Sequence, residues 1–302
     1  MKLYAPSYYK NFKCAADKCS HSCCVGWEIP VDRETLSACR SLPKCQRDKI
    51  FRHISESDEG AVISRDGEGR CPFLMPDGLC SIISELGDRY ISEICREHPR
   101  FYIRHRDGVA VGVGASCPVA AELILSTEKE EGLVCIGDTD KDLPLEEYDA
   151  HSRYQQLSQL IAEGNSFKEI CFRASEAFRL PLDMIVGEDI HRALSELEYM
   201  SDDSRTLLCP SDWSDDSLYD EYLTRFFSYL CLRHTACAVG ENNFRARVAF
   251  CILLTKILEN CLDCKESITF DGACNLAVRI SEEIEYSEDN TDTLVFELEC
   301  ML

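Results

Sequence analysis

The sequence predicts a mainly α-helical protein with small β elements, an α+β arrangement in which a cysteine-rich, metal-binding N-terminal unit packs on an acidic helical C-terminal unit. Apolar residues recur at helical spacing over the second half, whereas short alternating segments occur in the first half. The chain has 302 residues, 45% of them hydrophobic and 28% charged, which is typical of about two globular domains. This composition excludes a disordered tail, a collagen and a coiled-coil rod.

The first half is predicted to alternate short helices, strands and turns. Asp32 is placed to cap the first helix, and Pro43 separates it from the second. Asp107-Gly108 between two alternating segments indicates a hairpin, and Pro118 begins a helix. The expected helices are 31–40, 44–54, 80–85, 88–97 and 118–125, and the expected strands are 61–64, 72–75, 101–105 and 109–113.

From residue 145 onward the pattern is helical. The expected helices are 148–162, 167–178, 182–200, 218–237, 242–261 and 274–285. Residues 127–144 are polar and acidic and form the expected linker, and residues 202–217 form an expected acidic loop. We therefore expect a cysteine-rich metal- or cluster-binding domain over residues 1–126 and an acidic helical domain over residues 145–302.

The charge excess lies wholly in the second half. Residues 1–125 carry 17 Lys and Arg against 17 Asp and Glu, whereas residues 126–302 carry 15 against 37. An acidic surface repels phosphate backbones, so nucleic-acid binding is not expected. Such a surface attracts a lysine-bearing protein partner, although a solvated surface kept for solubility is the alternative.

The sequence is expected to be that of a cytoplasmic protein. No stretch approaches 18 uninterrupted apolar residues, so no transmembrane segment is expected, and the first residues show no apolar secretory region. Thiols in the cytoplasm stay reduced, so dense cysteine clusters there indicate metal binding or catalysis rather than disulfides.

Ten of the 20 cysteines fall within residues 14–117, mostly in dense local patterns. Eight of them are candidate metal ligands: Cys14, Cys19, Cys23, Cys24, Cys71, Cys80, Cys95 and Cys117. Thiolates select zinc, copper(I) and iron–sulfur clusters. Four residues separate Cys14 from Cys19, three separate Cys19 from Cys23, and Cys24 follows directly. This pattern fits zinc-finger spacing poorly and is compatible with an iron–sulfur cluster.

A buried thiol that acts as a small hydrophobic side chain is the alternative for each cysteine. We expect this structural role for the later cysteines, such as Cys231 and Cys251, which lie among apolar residues at helical spacing. Cys261-x2-Cys264 is one late pair with ligand spacing, and no second pair lies close to it in sequence.

Two further motifs lie near the last candidate ligands. Arg96 and Arg100 belong to the most basic run of the chain and are suited to clamp a cofactor carboxylate, unless they are ordinary surface charges. Gly112-x-Gly114 partly meets a dinucleotide fingerprint, but Cys117 stands at the third glycine position. Close packing of a hairpin strand is the favoured interpretation of these glycines.

The cysteine motifs resemble those of the flagellin lysine-N-methylase family, within the wider group of bacterial proteins with a Cys-rich iron- or zinc-chelating motif. The segments that carry the resemblance are KCAADKCSHSCCVGW, CPFLMPDGLCSI, LGDRYISEICREHPRFYI and GASCPVAAELIL, which together cover residues 14 to 125. A weaker similarity lies in YDEYLTRFFSYLCLRH, residues 219–234.

The resemblance implies transfer of a methyl group from S-adenosylmethionine to lysine amines of flagellin or a related protein. It also implies a four-iron, four-sulfur cluster held by cysteines of the N-terminal motif, with zinc as the alternative metal. Eight thiols exceed the four that one cluster needs, so some are structural or there are two metal sites.

Lysine attacks as the neutral amine, and its ordinary pKa near 10.4 means that it must first lose a proton. Tyr219, Asp220 and Tyr222 are the candidate catalytic residues that would steer and deprotonate it, with core tyrosines and a solvated carboxylate as the alternative. Two other functions remain open: a non-catalytic iron- or zinc-chelating protein, and a redox sensor that uses thiols of low pKa.

Overall fold

The computed structural model describes residues 1–19, 21–27, 29–58, 60–127, 132–141, 143–144, 148–210, 213, 218–264 and 267–302. The chain divides into two compact units. The cysteine-rich unit is Lys13–Pro99, and the helical unit combines Met1–Phe12 with Arg100–Leu302.

Helices dominate the described residues, and the strands are short. The strands are β1 (Lys2–Pro6), β2 (Ile29–Pro30), β3 (Ile54–Ser57), β4 (Gly60–Ile63), β5 (Arg100–His105), β6 (Gly108–Val113) and β7 (Leu133–Asp138). The α-helices are α1 (Arg33–Arg40), α2 (Lys44–Phe51), α3 (Ser81–Leu86), α4 (Glu93–Glu97), α5 (Pro118–Ser126), α6 (Ala150–Glu163), α7 (Phe167–Phe178), α8 (Leu182–Ile185), α9 (Glu188–Glu196), α10 (Asp202–Leu208), α11 (Asp220–Thr235), α12 (Glu241–Asp263), α13 (Phe270–Ile280) and α14 (Glu288–Cys300). Short 3-10 turns cover Ser7–Asn11, Ala16–Lys18 and Asp88–Tyr90, and one π-helical turn covers Ser281–Glu285.

The cysteine-rich unit is built on a small antiparallel sheet with strand order β2-β4-β3. Asp32 caps α1, since its carboxylate accepts a hydrogen bond from the Thr35 N–H at 2.8 Å. Apolar side chains from the sheet and the helices form one core: Ile29, Val31, Leu36, Cys39, Leu42, Ile50, Ala61, Ile63, Cys71, Phe73, Ile82 and Ile91. The loops that carry most of the candidate ligands are attached to this core.

The helical unit contains a four-stranded sheet with order β5-β6-β1-β7. β1 runs parallel to β6 and antiparallel to β7, so the first strand of the chain lies inside the sheet. β6 begins at Gly108, opposite Lys2. A Cβ atom at Gly108 would overlap the Lys2 backbone, so this close approach requires glycine.

Long helices form the core of the helical unit. α12 is buried along most of its length, and α11 packs beside it. The largest fully buried side chains include Phe178, Phe226, Phe227, Phe244 and Phe250. Side-chain caps fix several helix starts, since Ser166, Ser201, Thr269 and Ser287 each accept a backbone N–H three residues on.

The predicted fold class, mainly α with small β elements, is confirmed, as are most of its parts. α7 has the predicted bounds, and α5 begins at Pro118 as expected. β5 and β6 form the predicted hairpin, with His105 opposite Gly108. These elements depend on local periodicity, turn residues and caps, which the sequence displays directly.

Two predictions in the first half were wrong. Residues 72–75 form no strand, because Leu74 makes only an isolated bridge with Cys80 across a tight turn. The predicted helix 88–97 is divided into a 3-10 turn and α4. The backbone is extended at Ile91, and the Glu93 N–H is satisfied by the Asp32 carboxylate instead of by a helical carbonyl.

The second half shows three further differences. Helix 182–200 is interrupted at Gly187, which separates α8 from α9. The expected acidic loop at 202–217 begins with α10, capped by Ser201, and most of its remainder lies outside the described residues. α14 was not predicted, because its apolar residues do not form a strongly one-sided pattern.

The division into units differs from the expected domains. The expected linker, 127–144, contains β7, which pairs with β1; residues 128–131 and 142 of that segment lie outside the described residues. The expected start of the second domain, residue 145, is also outside them. Residues 100–126 join the helical unit because β6 pairs with β1 and α5 packs against α11 and α13.

Candidate functional site

Backbone pairing places two of the candidate ligands side by side in the cysteine-rich unit. The Cys71 N–H donates to the Cys24 carbonyl at 2.8 Å, and Val25 forms an antiparallel bridge with Arg70. The Gly26 N–H donates to the Gly69 carbonyl at 3.0 Å. Two cysteines that are distant in sequence therefore lie on adjacent segments.

A tight turn brings Cys80 back toward Cys71. The Met75 N–H donates to the Leu79 carbonyl at 2.8 Å, and Gly78 at the turn has a φ of 82°. A Cβ atom on Gly78 would lie 3.6 Å from the Asp17 Cα, so the loop that carries Cys14 and Cys19 runs against this turn. The Pro and Asp-Gly turn signals of the sequence thus bring ligand segments together as expected.

The adjacent thiols of Cys23 and Cys24 share one proton. The hydrogen bond from Cys23 lowers the pKa of Cys24 to about 7 against the effect of burial, and the Ser22 hydroxyl lowers it further. The same hydrogen bond raises the pKa of Cys23, with smaller contributions from Cys14 and Cys95. Near neutral pH, Cys24 is therefore about half ionised, and its thiolate form accepts a hydrogen bond from the neutral Cys23 thiol.

The other thiols of the unit also act on one another. Desolvation raises the pKa of Cys71 to about 11, and the charges of Cys24 and Cys80 add to it. Desolvation, together with Cys24, Cys71 and Cys80, raises the pKa of Cys95 to about 12, although this residue is exposed at the surface. Desolvation acts on any buried thiol, whereas electrostatic repulsion between thiolates requires that they lie near one another. The repulsion therefore indicates that these thiols are close together.

Six predicted ligands therefore form one group, which we call the thiol cluster: Cys14, Cys23, Cys24, Cys71, Cys80 and Cys95. Several thiolates cannot be charged together in this group without a cation. Among the described residues, no three His, Cys, Asp or Glu side chains already lie where they could share one metal ion. The donor set is that of a soft metal, and binding would require the thiols to close up.

The remaining two predicted ligands, Cys19 and Cys117, are not members of the thiol cluster. The Cys19 thiol donates to the His21 carbonyl at 2.6 Å. Cys117 belongs to the helical unit, where it precedes α5. Of the late cysteines expected to be buried structural thiols, Cys231, Cys251 and Cys261 are buried, whereas Cys237 is exposed. The Cys261 thiol donates to the Leu207 carbonyl.

The two predicted cofactor arginines lie in different units. Arg96 donates through Nη1 to the Asp88 and Ile91 carbonyls at 3.2 and 3.3 Å, and it lines a cavity of about 550 Å³. Arg100 donates through Nε to the Tyr9 hydroxyl at 3.0 Å, with its guanidinium over the Phe12 ring. Arg96 alone of the two lines a described cavity.

The three predicted catalytic residues all make structural contacts in the helical unit. Asp220 accepts the Phe167 N–H at 2.7 Å and so holds the start of α7. Tyr219 accepts the Ile268 N–H at 3.2 Å and stacks on Tyr222, with ring centroids 6.2 Å apart. These contacts account for their position, and a catalytic role for them stays a prediction.

A buried charge network in the helical unit was missed by the sequence analysis. Glu285 Oε1 accepts hydrogen bonds from the Tyr229 hydroxyl and, at 2.8 Å, from Arg233 Nε, while the His234 Nε2 atom lies 3.4 Å away. Burial would raise the pKa of Glu285, but Arg233 and His234 hold it below its ordinary value. A charged carboxylate is thus kept in the core.

The network supports the loop that precedes α5. The Tyr229 hydroxyl accepts the Ala115 N–H at 3.0 Å, and the Arg233 guanidinium lies 4.1 Å above the Tyr286 ring. A Cβ atom at Gly114 would overlap both Tyr286 and Arg233. Gly114 therefore provides room for this network, which gives its glycine a structural explanation instead of a nucleotide-binding one.

Comparison with known proteins gives three similar sequences. A flagellar biosynthetic protein FliU from Salmonella muenchen is 26% identical over 175 residues, which cover 55% of this chain and 95% of that protein. Two proteins named lysine-N-methylase, from Salmonella choleraesuis and Salmonella typhimurium, are 27% and 26% identical over 206 and 208 residues. Each match covers 64% of this chain and 50% of the relative, so the chain spans about half the length of these lysine-N-methylases.

Other comparisons give no match. No family model matches the chain, and no solved structure does. In the part of the chain that the structure describes, none of the helices combines the length and apolar character that crossing a membrane requires.

Proposed function

We propose that this chain is a protein-lysine N-methyltransferase that takes its methyl group from S-adenosylmethionine and holds an iron–sulfur cluster at the thiol cluster. The observation that carries the proposal is the similarity to two proteins named lysine-N-methylase. The grouping of six cysteines in one unit supports the metal part of it. Flagellin is the proposed substrate, since a third relative is named a flagellar biosynthetic protein.

The reaction is a displacement at the methyl carbon. The lone pair of the neutral lysine amine forms the new N–C bond, and the electrons of the broken S–C bond return to the sulfonium sulfur. S-adenosylhomocysteine leaves, and the proton of the amine passes to a base or to water. Since lysine carries a proton at neutral pH, desolvation or a nearby carboxylate must lower its pKa or take the proton.

The residues present fit a soft, thiolate-bound metal group. Cys24 is already about half ionised near neutral pH, and the neighbouring thiols would lose their protons on binding a cation. The proposed ligands belong to the thiol cluster, in which Cys24, Cys71 and Cys80 each act electrostatically on Cys95. When bound, an iron–sulfur cluster supplies a redox-active, Lewis-acidic iron centre.

The acidic second half of the chain would assist the encounter with substrate. Residues 126–302 carry an excess of acidic side chains, and such a surface raises the rate at which a lysine-bearing protein arrives. The proposal therefore predicts methylation that weakens as ionic strength rises.

Anaerobic purification with assay of iron, zinc and acid-labile sulfide tests the metal. We expect about four iron and about four sulfide per chain, with a broad visible absorption. Cys95→Ser should lose most of the iron, whereas Cys45→Ser, at an exposed cysteine of α2, should retain it. Stoichiometric zinc without sulfide would contradict the cluster and favour a zinc-chelating protein.

Transfer of a labelled methyl group to flagellin tests the activity. The metal-loaded chain should label lysine side chains of flagellin and produce S-adenosylhomocysteine in equal amount. Labelling by the wild type but not by Cys95→Ser would tie the activity to the thiol cluster. Failure of the metal-loaded wild type to label flagellin or any other lysine-bearing protein would reject the methyltransferase.

A further inference from the structure

A polar cavity of about 550 Å³ lies within the cysteine-rich unit, along α1 and the segment that joins Asp88 to α4. Its volume is that of a small-molecule site, for which about 300–1,000 Å³ is usual. The polar residues of its wall are Glu34, Thr35, Ser37, Ser41, Arg89 and Arg96. Charged residues of both signs thus line one depression that is open to solvent, since Glu34, Ser37, Ser41 and Arg89 are exposed.

The charges of the wall are not paired with one another. Within the described residues, neither the Arg89 side chain nor the Glu34 side chain takes part in a hydrogen bond or a salt bridge. Arg96 is fixed through Nη1, which donates to the Asp88 and Ile91 carbonyls. Charges of both signs are therefore presented to the cavity without a partner of opposite sign from the protein.

The wall is held in place by contacts behind it. The Thr35 hydroxyl joins α1 to the Ile91 carbonyl at 3.1 Å, and the Asp32 carboxylate accepts both Thr35 and the Glu93 N–H. The Cys39 thiol donates to the Tyr90 carbonyl at 3.6 Å. Because the two sides are tied together, a ligand would meet a site that is largely formed beforehand.

The cavity adjoins the thiol cluster through α4. Arg96 lines the cavity, and the residue before it, Cys95, belongs to the cluster. A ligand bound by Arg96 would therefore lie beside one of the proposed metal ligands.

We infer that this cavity binds the α-amino-acid end of a small ligand. Arg89 and Arg96 receive its carboxylate, Glu34 receives its ammonium group, and the hydroxyls of Ser37 and Ser41 border the rest of the molecule. Arginine suits a carboxylate because its planar fork donates two parallel hydrogen bonds. Under the proposed function, on which this identification rests, the ligand is S-adenosylmethionine, whose methionine part carries both groups.

Calorimetric titration of the anaerobically purified, metal-loaded chain with S-adenosylhomocysteine tests the assignment. Arg89→Gln and Glu34→Gln should each weaken binding about ten-fold or more, because each removes one charge-assisted contact. Arg33→Gln is the matched control, since Arg33 is an exposed arginine of the same helix that does not line the cavity. Unchanged affinity in both Arg89→Gln and Glu34→Gln would overturn the inference.

A second set of probes separates this inference from the proposed function. Methylthioadenosine lacks the amino-acid group, so its affinity should not change in Arg89→Gln. If the wild type binds no S-adenosylhomocysteine, the methyl-donor proposal fails. Titration with L-methionine and L-arginine then shows whether the cavity binds an α-amino acid. Binding of either amino acid that Arg89→Gln weakens would support the inference, and no binding of either by the wild type would reject it.

Discussion

The carboxylate of Glu285 and the guanidinium of Arg233 form an ion pair at 2.8 Å inside the helical unit. The Glu285 side chain is 0% exposed and that of Arg233 is 16% exposed. The pair joins α11 to the π-helical turn that leads toward α14, and the Ser281 hydroxyl donates to the second carboxylate oxygen at 2.9 Å. The helices of the core are thus connected by charge as well as by apolar packing.

Glu285→Gln should destabilise the protein by about 3–5 kcal/mol, because it leaves the Arg233 charge buried without a counter-charge. Urea denaturation monitored by circular dichroism measures this loss. Asp292→Asn, at an exposed acidic residue of α14, is the control and should change the free energy of unfolding by less than about 0.5 kcal/mol. Equal stability of the two variants would show that the ion pair does not hold the core together.

Gly114→Ala should also destabilise the helical unit, by about 1–3 kcal/mol. The new methyl group would overlap the Tyr286 hydroxyl and Arg233, which Glu285 prevents from moving aside. Gly67→Ala introduces the same methyl group where nothing lies within 4 Å, and it should have little effect. A thermal melt in which both variants match the wild type would argue against this close packing.

Asp32→Ala should weaken the cysteine-rich unit by about 1–3 kcal/mol, since it removes the cap of α1 and the acceptor for the Glu93 N–H. Asp32→Asn keeps one acceptor oxygen and should cost less. Hydrogen exchange at the Glu93 amide measures the link to α4 directly. Protection of that amide in Asp32→Ala as strong as in the wild type would exclude the link.

The same carboxylate gives the unit a dependence on acid. Burial opposes ionisation, but the hydrogen bonds from Thr35 and Glu93 hold the pKa of Asp32 at about 2, below its ordinary value of 3.8. A depressed carboxylate pKa contributes stability that is present above about pH 4 and lost as the pH falls toward 2. Asp32→Ala should therefore flatten the decline of the free energy of unfolding over that range.

His105 makes the helical unit less stable under mildly acidic conditions. Desolvation and the nearby His151 lower the pKa of His105 from 6.5 to about 4, while Asp107 acts in the opposite direction. The folded state then binds fewer protons than the unfolded state, so stability falls as the pH drops from about 6.5 to 4. We expect a loss of about 1–2 kcal/mol, given the partial exposure of the pair.

His105→Phe keeps an aromatic ring against Tyr4, whose ring centroid lies 4.0 Å away, and removes the titrating group. Its free energy of unfolding should change less between pH 6.5 and 4 than that of the wild type. Identical pH profiles would assign the acid sensitivity to other groups.

The sequence predicted those parts of the fold that depend on neighbouring residues. Local periodicity and caps predict α7 correctly, and Asp107-Gly108 predicts the hairpin of β5 and β6. The sheet order was not predictable, because β1 pairs with segments more than 100 residues away. At 88–97, the hydrogen bond between Asp32 and Glu93 overrides the helical pattern, and no local signal indicates that contact.

The candidate site shows the same limit. The spacing of the cysteines identified the residues of the thiol cluster, since turn residues beside Cys71 and Cys80 imply convergence. Glu285 was overlooked because it lies among acidic residues that resemble a solvated surface. Its partners on α11, Tyr229 and Arg233, are separated by four positions and so share a helix face, which was the one available signal.

The pairing of β1 with β6 and β7 has a consequence for how the chain is made. β1 leaves the ribosome before its two neighbours in the sheet, which are synthesised more than 100 residues later. Between them comes the uninterrupted segment Lys13–Pro99, whose core residues all lie within that segment. Domains fold as their residues emerge from the ribosome, so the thiols of this segment come together before the acidic helices are translated. At that stage β6 and β7 have not been made, and β1 has no strand to pair with.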